Sequence, residues 1–161
     1  MEALLDNVRS AWNVGAIFRT ADGFGVRRLY LCGITPTPEN PSVAKTALGA
    51  HESVGWEHHK NALTLVKRLK DEGWVVWALE QDERGLSTDF IADSRITVSE
   101  AIVLIVGNEI TGVDPALLDL CDRIFHIPMR GMKQSLNVEV AFGVGVALLL
   151  AALENASSGK H

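Results

Sequence analysis

The run AIVLIV at residues 101–106 decides the fold class, because it is continuous, apolar and rich in β-branched residues. Such runs are typical of a strand that is buried on both faces, as in a parallel sheet. Gly107 follows the run directly. Ligands of open α/β sheets bind beyond the carboxyl ends of such strands, so the segment after residue 106 is either a ligand site or a tight turn that needs glycine.

Further elements alternate on both sides of this run. Strands are predicted at residues 3–8, 29–32, 54–56, 74–79 and 124–127. Helices are predicted from Asn13 as N-cap, over residues 62–69, from Asp114 to Leu120, and over residues 137–153, with residues 33–50 irregular. This alternation predicts an α/β fold with a mostly parallel sheet flanked by helices. We expect one domain over residues 1–155 and a short tail at 156–161.

The composition is that of a globular protein, with 161 residues of which 47% are apolar and 22% charged. The 2 cysteines form no CxxC pair, which argues against a disulfide framework and for a reducing cytosol. No signal peptide is expected. The uncharged run at residues 140–153 is too short to span a bilayer. We expect this helix to be buried partly in the domain and partly against a second subunit.

The charge is unevenly distributed in a chain of net charge −5. Residues 7–30 contain four arginines and one acid, and residues 123–138 contain three cations and no acid. Net acidity argues against a generic basic nucleic-acid binder. If the two basic segments meet in the fold, they form a local anion site; otherwise they are scattered solvated charges.

Several familiar motifs are incomplete in this chain. The glycine pairs at residues 23–25 and 143–145 lack the third glycine of a dinucleotide fingerprint. Residues 107–112 have the glycine spacing of a phosphate loop but continue with Val113 and Asp114, where lysine and a hydroxyl residue are required. The histidines show no metal-ligand spacing, so no metal site is expected.

Three segments at the tips of predicted elements then need an explanation. They are NVGAIFRTA at residues 13–21, VGNEITGV at 106–113, and IPM at 127–129 with SLNV at 135–138. From spacing alone, Ser135 or Asn137 is a simple helix N-cap. Together and in this order, the segments resemble the three motifs of the SpoU (TrmH-like) RNA 2′-O-ribose methyltransferases of the SPOUT class. The segment KTALGA at residues 45–50 is also similar to this family.

The resemblance implies a deep C-terminal trefoil knot that binds S-adenosyl-L-methionine, and a homodimer whose active site draws on both subunits. The implied reaction is methyl transfer to a ribose 2′-hydroxyl of tRNA or rRNA, without a metal. Two alternatives stay open: a non-catalytic RNA-binding protein on the same scaffold, and a nucleotide-binding α/β enzyme of another type.

The resemblance also implies roles for individual residues. The cofactor would contact Ile127, Met129, Ser135 and Leu136, and Gly107 and Leu79, which lie at the ends of two predicted buried strands, would form further walls of its site. The catalytic group would be Arg19, Asn13, Glu109, Ser135 and Asn137. RNA phosphates would contact Arg9, Arg19, Arg130 and Lys133. A base role has been proposed for the family's motif-one arginine, but a guanidinium stays protonated in proteins, which favours Arg19 as a clamp on phosphate and alkoxide.

Overall fold

The structure, a computed structural model, describes residues 1–87 and 101–158. Its strands are β1 (Glu2–Asp6), β2 (Arg28–Cys32), β3 (Gly55–His59), β4 (Val75–Leu79), β5 (Leu86–Ser87), β6 (Ile102–Val106) and β7 (Arg123–His126). Its helices are α1 (Ala11–Gly23), α2 (Pro41–Ala47), α3 (Ala50–Ser53), α4 (Ala62–Asp71), α5 (Pro115–Leu118) and α6 (Val138–Ser158).

The strands form one sheet in the order β3-β2-β1-β6-β4-β7-β5. Every strand pairing in the described part of the chain is parallel, and all residues of the central strand β6 are buried. The predicted α/β class with a mostly parallel sheet is therefore confirmed. From β1, the chain first adds β2 and β3 on one side of the sheet. It then adds β4, β5, β6 and β7 on the other side of β1, so the strand order reverses between β1 and β6. Ligands of open α/β sheets bind where the strand order reverses in this way.

Helices cover both faces of the sheet. Because side chains alternate along a strand, Leu5 of β1 packs in the core with α1 and α6, whereas Leu4 packs in the core with α4 and α5. Helix α6 buries Phe142, Val146 and Leu149 in the first core. This agrees with the predicted partial burial of α6 within the domain.

Most predicted boundaries differ from the structure by one to three residues, and three differences have a clear physical reason. Helix α1 begins at Ala11, and its N-cap is Ser10 rather than Asn13, because the Ser10 hydroxyl accepts the Asn13 N–H at 3.3 Å. Residues 33–50 are not irregular throughout, since Asn40 caps α2 and Pro41 occupies its first turn, where the missing N–H costs nothing. Helix α6 continues past the predicted end at residue 153, because neither glycine nor proline occurs between residue 153 and Gly159.

No helix within residues 1–87 and 101–158 is both long and apolar enough to cross a membrane.

Candidate active site

A cavity of about 250 Å³ opens where the strand order reverses, between the carboxyl ends of β4, β6 and β7 and the start of α6. All six residues predicted to contact a cofactor line this cavity: Leu79, Gly107, Ile127, Met129, Ser135 and Leu136. Glu109 and Asn137 from the predicted catalytic group line it as well. The second and third motifs, which are separate in the sequence, therefore meet at one site.

The loop that follows β6 is held by its own hydrogen bonds. Asn108 and Gly112 exchange two backbone hydrogen bonds of 3.0 and 2.9 Å. The Asn108 side-chain amide donates to the Asn7 carbonyl at 2.7 Å, and Glu80 accepts the Val113 N–H at 2.8 Å. A Cβ on Gly107 would overlap the backbone of Gly112 and Val113. The loop is thus both a tight turn that needs glycine and one wall of the cavity.

Glu109 joins this loop to the start of α1. Its carboxylate accepts the backbone N–H groups of Arg9 and Ser10 at 2.9 and 3.0 Å, and the Asn13 side-chain amide at 3.0 Å. Partial burial acts to raise the pKa of Glu109, but these donors outweigh it and hold the pKa below its usual value. Glu109 therefore stays ionised at neutral pH and fixes the first motif against the second.

Asn137 extends this connection to the third motif. Its side-chain amide donates to the Asn13 side-chain oxygen at 3.2 Å. Its own side-chain oxygen accepts the Glu139 N–H at 2.8 Å, so Asn137 also caps α6. Because Ser10 caps α1, the Asn13 side chain is free to bridge Glu109 and Asn137. These three side chains form a hydrogen-bonded chain at the edge of the cavity.

Sequence reasoning missed several residues that line the cavity. They are Glu80, Gln81, Val106, Asn108, Ile110, Gly112, His126, Val138 and Ala141. Glu80 and Gln81 directly follow β4, and a polar pair at the carboxyl end of a buried strand was the available signal. Gln81 donates to the Ile127 carbonyl at 2.9 Å and so connects this segment to the third motif.

Arg19 does not line this cavity. It lies on the exposed surface of α1 and lines a second cavity of about 420 Å³ together with Leu48 and Gly49. The structure therefore does not bring Arg19 together with Glu109 and Asn137 within one chain. Asn13 does not line the first cavity either, but contacts it through Glu109 and Asn137.

The four residues that are predicted to contact RNA are exposed to solvent. They are Arg9, Arg19, Arg130 and Lys133. In the part of the chain that the structure describes, the ion pairs of arginine and lysine involve other residues, namely Arg27, Arg28, Arg68, Lys70 and Arg84. Over the same ranges, no group of three or more His, Cys, Asp or Glu side chains could hold a metal ion.

Comparison with known proteins identifies the family. Residues 1–147 match the model of the SpoU rRNA Methylase family. The chain belongs to this family. Among curated relatives, the tRNA (guanosine(18)-2′-O)-methyltransferase of Aquifex aeolicus is 34% identical over 139 residues, which are 86% of this chain and 63% of that enzyme. The 23S rRNA (guanosine-2′-O-)-methyltransferase RlmB of Vibrio cholerae is 36% identical over 141 residues, 88% of this chain and 55% of that enzyme. The chain thus spans less than two thirds of either relative.

Solved structures of SpoU proteins have the same fold. The TrmH/SpoU tRNA modifying enzyme of A. aeolicus has a TM-score of 0.77 at 28% identity, with 98% of this chain and 75% of that chain covered. The SpoU methyltransferase AviRb of Streptomyces viridochromogenes, in complex with the cofactor AdoMet, has a TM-score of 0.79 at 27% identity, with 99% of this chain and 61% of that chain covered.

Proposed function

We propose that this chain is an S-adenosyl-L-methionine-dependent RNA methyltransferase that acts on a ribose 2′-hydroxyl. One observation carries the proposal: the six residues assigned to the cofactor line one cavity, at whose edge Asn13, Glu109 and Asn137 are hydrogen-bonded. The curated relatives named as 2′-O-methyltransferases and the AdoMet complex of AviRb support it.

The cavity has the chemistry that a nucleoside cofactor needs. Leu79, Ile127, Met129 and Leu136 supply an apolar slot for a purine, in which methionine adapts to the shape of the ring. Backbone N–H and C=O groups of the third motif would supply hydrogen bonds to the adenine edge. When bound, the cofactor would supply a methyl group on a sulfonium, from which a neutral thioether leaves readily. The tasks left to the protein are alignment, removal of the hydroxyl proton and anchoring of the RNA.

The polar residues divide the alignment and the anchoring among themselves, and the 2′-hydroxyl proton passes to solvent water. Ser135 and Asn137 line the cavity and orient the 2′-hydroxyl. Glu109 acts as a positioning residue, because its carboxylate is already occupied by three donors. Arg19 binds the phosphate beside the target ribose and stabilises the alkoxide as it forms. Arg9, Arg130 and Lys133 contact further phosphates, which makes RNA binding sensitive to salt.

The proposed role of Arg19 favours an active site that is shared with a second subunit. Because Arg19 lies outside the cavity of its own chain, we propose a homodimer in which Arg19 of one protomer reaches the cavity of the other. Helix α6 supports this proposal, since Val140 and Val144 on its surface are exposed. Trp12 at the start of α1 is also 58% exposed. Since tryptophan is enriched at protein interfaces, its exposure in a single chain supports the same proposal.

Light scattering at micromolar concentration is expected to give the mass of a dimer. A glutamate at position 144 places a charge in the apolar surface of α6, so Val144→Glu is expected to give a monomer. A wild-type protein that is monomeric under these conditions contradicts the shared active site.

We also propose that the third motif is part of a deep trefoil knot. The sheet order places β7 between β4 and β5, so the chain leaving β7 passes beside the segment that joins those two strands. The hydrogen bond from Gln81 to Ile127 connects that segment to the third motif. Residues 88–100 lie outside the described residues.

Methyl transfer from labelled S-adenosylmethionine to RNA tests the activity. We expect label in tRNA or rRNA at a 2′-oxygen, and mapping of 2′-O-methyl sites in a deletion strain identifies the nucleotide. RNA binding without methyl transfer favours the non-catalytic alternative instead.

The two free cysteines, Cys32 and Cys121, suit a reducing cytoplasm as the place of this reaction.

Cofactor binding is expected to be independent of metal. Calorimetry with S-adenosylhomocysteine should give the same affinity with and without a chelator. Leu136→Asp should weaken binding by about 10-fold or more, because it forces a charge into the apolar slot. Leu86→Asp is the matched control, since Leu86 is an exposed leucine outside the cavity lining. Loss of binding with chelator, or an equal effect of both variants, contradicts this assignment.

A further inference from the structure

The corner between α2 and α3 has no role in the proposed reaction. It lies in the KTALGA segment, and its Leu48 side chain is 72% exposed. Leu48 also has a positive φ of 50°, in the left-handed region that leucine rarely adopts. Within one chain, neither burial nor backbone preference explains a leucine at this position. Unfavourable backbone conformations of this kind concentrate at functional sites.

Close packing of α1 against α2 fixes this corner beside Arg19. A Cβ on Gly15 would lie 2.6 Å from the Val43 carbonyl oxygen and 2.6 Å from the Thr46 Cβ, so the two helices approach as closely as their backbones allow. Arg19 is one turn after Gly15 on the same face of α1. Arg19 and Leu48 accordingly line the same cavity.

Arg19 lines this cavity, and a second cation, Lys45, lies outside the lining but close to Leu48 along the chain. Lys45 is exposed one turn before Leu48, and like Arg19 it takes no part in the ion pairs of the described residues. Asp22 also lines the cavity, where its carboxylate accepts the Ser53 hydroxyl at 2.5 Å. Two free cations beside a projecting apolar side chain suit a single RNA strand, which presents phosphates together with unstacked bases.

We propose that the Leu48 corner positions a nucleotide next to the methyl acceptor. The base of that nucleotide lies against Leu48, while its phosphate contacts Arg19 and Lys45. Leu48 is then a positioning residue that contributes to the choice of RNA. This inference rests on the proposed function, because it takes Arg19 to be the residue at the methyl-acceptor site.

Leu48→Asn tests the base contact without disturbing the backbone, because asparagine tolerates the left-handed conformation. The thermal midpoint should be unchanged or higher. Fluorescence anisotropy with a labelled, short single-stranded RNA of random sequence should show binding weakened by about 10-fold. The affinity for inorganic polyphosphate, which has no bases, should stay at the wild-type value. Lys45→Gln is the matched control for charge and should weaken the binding of both polymers.

Unchanged RNA affinity in Leu48→Asn, or an equal loss of affinity for RNA and polyphosphate, overturns the inference. A shift of Leu48→Asn to monomer in light scattering also overturns it, because the corner is then a subunit contact. Wild-type methyl transfer is measured in parallel. If the wild-type protein transfers no methyl group, the proposed reaction is contradicted. If Leu48→Asn then still loses RNA binding selectively, the contact between Leu48 and a nucleotide stands.

Discussion

Arg19→Ala is expected to lower the rate of methyl transfer by about 100-fold or more, the effect of losing one preorganised donor at a site of developing charge. The fold should stay intact, because the Arg19 side chain is exposed and takes no part in the ion pairs of the described residues. The affinity for S-adenosylhomocysteine should also be nearly unchanged, because the proposed partners of Arg19 are the RNA phosphate and the forming alkoxide rather than the cofactor. Single-turnover methylation and calorimetry measure the two effects.

Arg19→Lys distinguishes the two roles of the side chain. Lysine keeps the charge but loses the planar fork that binds phosphate and alkoxide together. A rate restored to near the wild-type value shows that charge is sufficient, whereas a rate close to that of Arg19→Ala shows that the fork is required. Arg68→Ala, which removes an exposed arginine from α4, is the control and should leave the rate unchanged. Normal turnover in Arg19→Ala removes Arg19 from the mechanism.

The sequence predicted the central sheet well because its signal is local. Strand β6 is a continuous apolar run, and all of its residues are buried. Helix α2 was missed although Asn40-Pro41 has the same signature, an N-cap followed by proline, that correctly predicted α5 at Asp114-Pro115. The difference is that α2 follows two further prolines, Pro36 and Pro38, in a segment whose apolar positions do not establish a helical period.

The site was predictable in part. The family motifs and the carboxyl ends of two buried strands together led to the six residues of the cavity wall that were assigned to a cofactor. The connections between the motifs were not predictable, because they depend on which neighbour each side chain reaches in space. Asn13 was predicted as a helix cap, but Ser10 takes that role and Asn13 contacts residues that are 96 and 124 positions away. Likewise, motif spacing does not reveal that Arg19 lines a different cavity from Glu109.

Gly107→Ala is expected to damage both stability and cofactor binding. A Cβ at this position would overlap the backbone of Gly112 and Val113. Neither neighbour can move freely, because Gly112 exchanges two hydrogen bonds with Asn108 and Glu80 accepts the Val113 N–H. The loop must therefore open. We expect the free energy of unfolding to fall by about 3 kcal/mol, and the S-adenosylhomocysteine affinity to fall by about 10-fold or more as the cavity wall shifts.

Gly131→Ala separates this effect from a general intolerance of alanine. Gly131 follows the third motif's IPM segment, but a Cβ there would meet open space. Chemical denaturation and calorimetry should therefore give wild-type values for Gly131→Ala and reduced values for Gly107→Ala. If Gly107→Ala loses stability but keeps full affinity, the loop after β6 supports the fold without shaping the cofactor site. If it loses neither, the close approach of Gly107 to Gly112 is not a constraint on the protein in solution, and the second motif needs another explanation.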